Sequence, residues 1–193
     1  MNRKEMQKQL KSMLSEKRWD HTLGVVETAK ELAVHYKINE EKAEIAALCH
    51  DCAKEFSKNQ LLEYVREYQI PVDEVTLYEP ELLHGPVGRV VAKEELGITD
   101  EEVLEAIENH TTGDVDMSML EKIIYLADFI EPTRQYQGVE ALRSLAFENL
   151  DHALIQSFDN TIAYVISLHS VLHPKTIKAR NQLIIKKEKE ERI

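Results

Sequence analysis

Hydrophobic positions recur along this chain at three- and four-residue spacing, the period of helices that bury one face. Val25, Ala29, Leu32 and Tyr36 mark one such stripe, in a helix expected from about Arg18 to Tyr36, after a short amphipathic helix from Asn2 to Leu14. Asn39 is placed to cap a third helix, whose inward face carries Ala43, Ala46 and Ala47. Ser57 and Gln60 form a capping box that opens a fourth, ending near Ile70-Pro71. Val72 to Leu83 shows no regular period, and then Val87 and Val91 define a helix that stops at Gly97. The stretch Thr99-Asp100-Glu101-Glu102 reads as another capping box, followed by a helix with Val103, Ala106 and Ile107 on one side. Further helices are expected from about Ser118 to Glu131, where Pro132 stops them, from Val139 to near Leu150, from Asp151 to Val171, and from Pro174 onward. The pattern predicts an all-α bundle.

Composition narrows this further. Only 6 Gly and 5 Pro in 193 residues leave little punctuation for a many-stranded sheet. The length suits one domain spanning 1–193. A net charge of −11 argues against a nucleic-acid or anionic-membrane surface, so an anionic substrate must be met by local cations. The most apolar run, Ile162 to Leu172, is short and interrupted by Ser167, His169 and Ser170, and the N-terminus leads into no apolar export segment, so a cytoplasmic protein is expected. Cys49 and Cys52 have no second cysteine pair to form a zinc site with, and read as buried small residues in a reducing compartment. The tail from Lys186 to Arg192 reads as a solvated helix end.

The chemistry lies in polar residues that continue the apolar stripes. His21, His50 with Asp51, His84, His110 and Asp128 come from separate helices, each on the face that should be buried. A buried imidazole or carboxylate left without a partner costs about 1–3 kcal/mol, and a shared metal centre satisfies all of these groups together. Imidazole and carboxylate without thiolate suit iron, manganese, cobalt, nickel or zinc. Six protein ligands are too many for one catalytic metal with an open position, but fit two metals about 3.5–4 Å apart, with Asp51 as the natural bridge. Such a pair activates water and clamps a phosphoryl group, which implies hydrolysis of a phosphoester or phosphoanhydride.

The order His21, His50-Asp51 and Asp128 resembles the HD-domain metal-dependent phosphohydrolases, and His84 and His110 resemble the subset with two metals. More narrowly, Arg18-Trp19-Asp20-His21-Thr22, His50-Asp51-Cys52-Ala53-Lys54, Leu83-His84-Gly85-Pro86, His110-Thr111-Thr112-Gly113, Ala127-Asp128-Phe129-Ile130-Glu131-Pro132 with Arg134, and His173-Pro174-Lys175-Thr176 with Arg180-Asn181 resemble the bacterial symmetrical bis(5′-nucleosyl)-tetraphosphatases of HD type. The resemblance covers the chain from about Arg18 to Asn181. It implies an HD-domain bundle with its metal core at about 18–132 and C-terminal helices at about 139–190 packed on it. It implies that His21, His50, Asp51 and Asp128 hold one metal, that Asp51, His84 and His110 hold the other, and that the metal is iron.

The activity implied is symmetrical cleavage of diadenosine tetraphosphate to two ADP by a metal-bound hydroxide. Asp51 and Lys54 would be catalytic, with Lys54 one turn beyond His50 on the same helix face to neutralise a phosphate oxygen. Arg18, His21, Lys54, His84, Thr111 and Arg134 would line the substrate. His173, Lys175, Thr176 and Arg180 would seat the far phosphates or a nucleoside at a helix start, where free N–H groups favour an anion. The partner is a small nucleotide, with no nucleic acid and no membrane, and a homodimer is left open. The competing readings are another HD phosphohydrolase acting on nucleoside mono- or triphosphates or alarmones, a non-catalytic metal and nucleotide sensor, and a structural bundle with satisfied core histidines.

Overall fold

The computed structural model describes residues 2–191, with side chains through Lys189. Among these residues there is no strand, and ten of the eleven helices follow one another in the order the hydrophobic pattern predicts. Helices α1 (Arg3–Met13), α2 (Glu16–His35) and α3 (Glu40–Cys49) open the chain, with Asn2, Ser15 and Asn39 accepting first-turn N–H groups. Helix α4 (Lys58–Glu67) starts at the Ser57–Gln60 capping box. The stretch that showed no period contains a five-residue helix, α5 (Glu74–Tyr78), and a 3₁₀ turn, Pro80–Leu83, both too short to carry a periodic stripe. Helices α6 (His84–Glu94), α7 (Glu101–Asn109) and α8 (Met119–Ile130) complete the centre, and α9 (Val139–Glu148), α10 (Leu150–Ser167) and α11 (Pro174–Glu191) follow.

Two expectations about helix ends are corrected. Asp100, not Thr99, caps α7, because its carboxylate reaches the N–H groups of both Glu102 and Val103. Helix α10 stops at Ser167 rather than Val171: His169 takes a left-handed φ of 52°, and the N–H groups of His169 and Ser170 fold back onto the carbonyls of Ile166 and Val165. That closure is the Schellman arrangement, with His169 in the position glycine usually fills.

Helices α2, α3, α7 and α8 form the core against which the others are laid, α2 on α3 and α8, and α7 on α3, α6 and α8. Helix α3 offers Ala43, Ala46 and Ala47, fully buried, and this row of small side chains lets α2 lie close with Val25, Ala29 and Leu32 against it. Helix α8 is buried on nearly every side, with Ile123, Ile124, Leu126 and Ala127 fully enclosed. Helices α9 and α10 pack on α8, and α11 on α10, which adds the C-terminal third to the same apolar cluster through Leu142, Leu154 and Phe158. Cys49 and Cys52 are free thiols inside this core, Cys49 beside the Met6 sulfur and Cys52 beside the Gly88 carbonyl. No helix among the described residues is long and apolar enough to cross a membrane.

Candidate metal centre

The histidines and aspartates of the apolar stripes converge between α2, α3, α6, α7 and α8. His21 lies within α2 and Asp128 in the last turn of α8, whereas His50 and His110 are the residues that end α3 and α7, and His84 begins α6. Three overlapping groups have ligand atoms within 4.8 Å of one another: His21, His50 and Asp51; His50, His110 and Asp128; and Asp51, His84 and His110. Asp51 divides them. Its Oδ2 faces His50 Nε2 at 3.5 Å and His21 Nε2 at 3.8 Å, while its Oδ1 faces the Nε2 atoms of His84 and His110, each at 3.5 Å. Asp128 Oδ1 approaches His21 Nε2 at 3.0 Å.

Hydrogen bonds on the far side of each ring fix what faces the centre. Three Nδ1 atoms meet the carbonyl three residues earlier: His50 with Ala47 at 2.6 Å, His84 with Glu81 at 2.5 Å and His110 with Ile107 at 2.7 Å. The Ala47 and Ile107 carbonyls fall in the last turns of α3 and α7, where carbonyls lack an intrahelical partner, and the Glu81 carbonyl, in the 3₁₀ turn, takes the ring beside the His84 N–H. A carbonyl only accepts, so Nδ1 carries the proton and a neutral ring turns its Nε2 lone pair inward. His21 does the same through the Glu131 carboxylate, at 3.0 Å.

The outcome is a buried cluster rich in lone pairs and poor in donors. Nε2 of His21 and Nε2 of His50 are buried with no hydrogen-bond partner. The Nε2 atoms of His84 and His110 face each other at 3.1 Å, and the one hydroxyl proton of Thr111, 2.9 and 3.1 Å away, serves only one of them. Cations between these groups would satisfy all of them, so the residues present fit a metal centre. The electrostatics agree. Burial works against charge on His50, yet Asp51 and Asp128 outweigh it and hold its pKa above the ordinary histidine value. Burial would raise Asp51 and Asp128, but the rings around them, with Arg134 beside Asp128, hold both well below the usual carboxylate range. Burial pushes His84 down to about 3, helped by the positive charge of Lys54. The site attracts positive charge strongly at the carboxylates and keeps one imidazole neutral.

The other residues singled out in the sequence distribute unevenly around this centre. Arg18 Nη1 bonds Asp51 Oδ2 at 2.9 Å, and Arg134 bonds Asp128 Oδ1 at 2.7 Å and the Asp128 carbonyl at 2.9 Å. Lys54 is not on the helix of His50: α3 ends at Cys49, and residues 50–55 form successive turns, with the Lys54 N–H on the Asp51 carbonyl. Lys54 instead lines a cleft of about 470 Å³ with Arg18, Phe56, Lys58 and Tyr78. A second cleft, about 510 Å³, contains Arg18, His21, Thr133, Arg134 and Tyr136.

The α11 segment stands further out. Thr176 donates to the Thr112 carbonyl, and Lys175 reaches Asn109 and pairs with Asp114, which ties the start of α11 to the loop after His110. His173 uses Nδ1 to accept the Lys175 N–H and faces Asp73 with Nε2 at 3.1 Å, so the N–H groups expected to be open to an anion are partly taken. Arg180 is bound by Asp159 and Asn181, away from the cluster. One residue at the centre was given no role from the sequence: Glu131. Its signal was the three-residue spacing from Asp128, which places the two carboxylates on one side of the end of α8.

Residues 18–133 match the HD domain family. The chain is 44% identical over 188 residues to a protein of Halalkalibacterium halodurans named bis(5′-nucleosyl)-tetraphosphatase, symmetrical, with 97% of this chain and 100% of that one covered. A protein of the same name from Bacillus subtilis is 41% identical over 184 residues, covering 95% and 98%. A crystal structure from Clostridium acetobutylicum, described as a predicted HD superfamily hydrolase involved in NAD metabolism, superposes with a TM-score of 0.94 at 47% identity, covering 96% of this chain and 98% of that one. With its ligand cluster inside the matched span and its similarity running nearly end to end, the chain belongs to the HD-domain family, and within it to the symmetrical bis(5′-nucleosyl)-tetraphosphatases.

Proposed function

We propose that this protein hydrolyses dinucleoside polyphosphates and cuts diadenosine tetraphosphate symmetrically into two ADP. The observation that carries the reading is the division of Asp51, with each carboxylate oxygen turned to a different pair of outward-anchored histidines. That donor set fits two metals sharing one carboxylate, His21, His50, Asp51 and Asp128 on one side and Asp51, His84 and His110 on the other. Bound there, the metals would supply a water acidified toward neutrality and charge neutralisation at the phosphoryl group. Iron is the metal we propose, among the several the ligand types allow.

The chain's own residues would then place the substrate. Arg18 on Asp51 and Arg134 on Asp128, which line one cleft together, are positioned to hold phosphate oxygens, and Lys54 adds a third cation beside His84. The two clefts share Arg18 and Glu55, and each carries aromatic surface for a base, Phe56 and Tyr78 in one, Tyr136 in the other. A substrate with two nucleoside ends suits two clefts that adjoin at Arg18. Thr111, beside His84 and His110, is proposed to line the substrate at the centre, and His173, Lys175, Thr176 and the more distant Arg180 to act on its outer part. All of this is assigned to one domain spanning 1–193, working in the reducing cytoplasm that its free thiols fit.

The test is product chromatography after diadenosine tetraphosphate is incubated with the metal-loaded protein. ADP alone is the expected product. AMP with ATP would overturn the symmetrical reading while keeping hydrolysis, and no turnover with metals bound would overturn the substrate.

A further inference from the structure

The four histidines of the cluster are not anchored alike. His50, His84 and His110 lean on carbonyls at nearby helix ends or turns, but His21 lies within α2, away from either end. The Arg18 carbonyl, three residues before it, already takes the Thr22 hydroxyl. Glu131 fills that need from 110 residues away. It is fully buried, and Thr133 holds it from both sides, its N–H donating to Oε2 at 2.6 Å and its hydroxyl to Oε1 at 2.5 Å. Room for the carboxylate comes from Gly24, one helical turn after His21: a Cβ there would lie 2.6 Å from Glu131 Oε2. A glycine inside a helix is unfavourable by itself, and here it leaves the space that Glu131 occupies.

We propose that Glu131 is a positioning residue that fixes His21 in the tautomer with its proton on Nδ1, and that Thr133 and Gly24 keep the carboxylate in place. Without it, His21 Nδ1 loses the acceptor that holds its proton outward, and the proton is free to move to Nε2, the atom that faces Asp128 and Asp51. A carboxylate acceptor also makes the ring a stronger donor to a metal than a carbonyl does, which sets the His21 side apart from the His84 and His110 side. This rests on the metal reading above, but its first consequence belongs to the protein without metal.

The experiment is nitrogen NMR of histidine-labelled, metal-stripped protein at a pH above the ordinary histidine range, with His21 assigned by its absence in His21→Gln. The wild type should show His21 protonated at Nδ1, and Glu131→Ala should move it toward the Nε2 form. Gly24→Ala is the second variant: alanine favours the helix, and the added methyl displaces the carboxylate without removing it. Titration of manganese into each stripped protein, followed by electron paramagnetic resonance, should show one of two sites weakened by about 10–100-fold and the other by less. An unchanged His21 tautomer in both variants would overturn the proposal. So would equal weakening of the two sites in step with lost thermal stability, since that is what a merely structural role produces. A wild type that binds no manganese would overturn the metal reading instead, and the tautomer measurement would still decide the role of Glu131.

Discussion

Asp51 is the residue on which the centre turns, because it is the one carboxylate aimed at all four histidines. Replacing it by Asn keeps the shape and removes the charge and half the acceptor capacity. Metal content should fall on both sides of the cluster, and turnover should drop by more than about 100-fold, the upper figure for losing only an outer-shell partner. Elemental analysis beside an ADP assay checks this, and circular dichroism should remain that of a folded helical protein. Retained metal in Asp51→Asn would remove it as the bridge. The convergence of His21, His50, Asp51, His84, His110 and Asp128 was legible in the sequence because each interrupts an apolar stripe, where an ionisable group needs a reason. Glu131 was not, because its partner is distant in the chain and a Glu ahead of a proline at a helix end has the look of a solvated cap. Arg180 was legible only as a cation on a helix, and its pairing with Asp159 depends on how α10 and α11 lie together.

Elements set the distances between these residues. Helices α6 and α7 approach so closely that a Cβ on Gly85 would collide with the Glu108 carbonyl, and this approach brings the His84 and His110 rings to a centroid separation of 5.0 Å. Gly85→Ala should therefore force the two helices apart, at a cost of about 1–3 kcal/mol for an overpacked contact. Thermal melts should show the loss, and metal titration should show the His84 and His110 side affected more than the His21 side. Equal weakening of both sides would mean that the spacing of α6 and α7 does not govern the pair. The long helices could be read from spacing and caps because both are local signals. The end of α3 could not: the sequence continues with small buried residues through Cys52 and Ala53, while the chain passes into successive turns and the Ala47 carbonyl meets the His50 ring. Helix α5 was missed because five residues make little more than one turn.

At the scale of the whole molecule, cations and fold should be linked. A buried cluster whose lone pairs face one another resists compaction until positive charge enters, so metal binding should stabilise the native state. At free metal about 100-fold above its dissociation constant the gain is about 2.7 kcal/mol, a rise in Tm of roughly 5–10 °C for a chain of this size. Differential scanning fluorimetry of stripped and reloaded protein measures it, and one cooperative transition in both is expected if residues 1–193 are one domain. No shift would speak against metals in the cluster. Family membership was legible from the order of motifs, since that order survives whatever the loops do. The anchoring of His50, His84 and His110 on carbonyls three residues earlier has a last consequence, for how this chain can change over time. A residue inserted between ring and carbonyl would turn that ring by about 100° and leave the bundle standing. Length can therefore drift in stretches such as 69–72 or 168–172, where the chain runs over the surface, while 47–50, 81–84 and 107–110 are held to a fixed count that the core itself does not require.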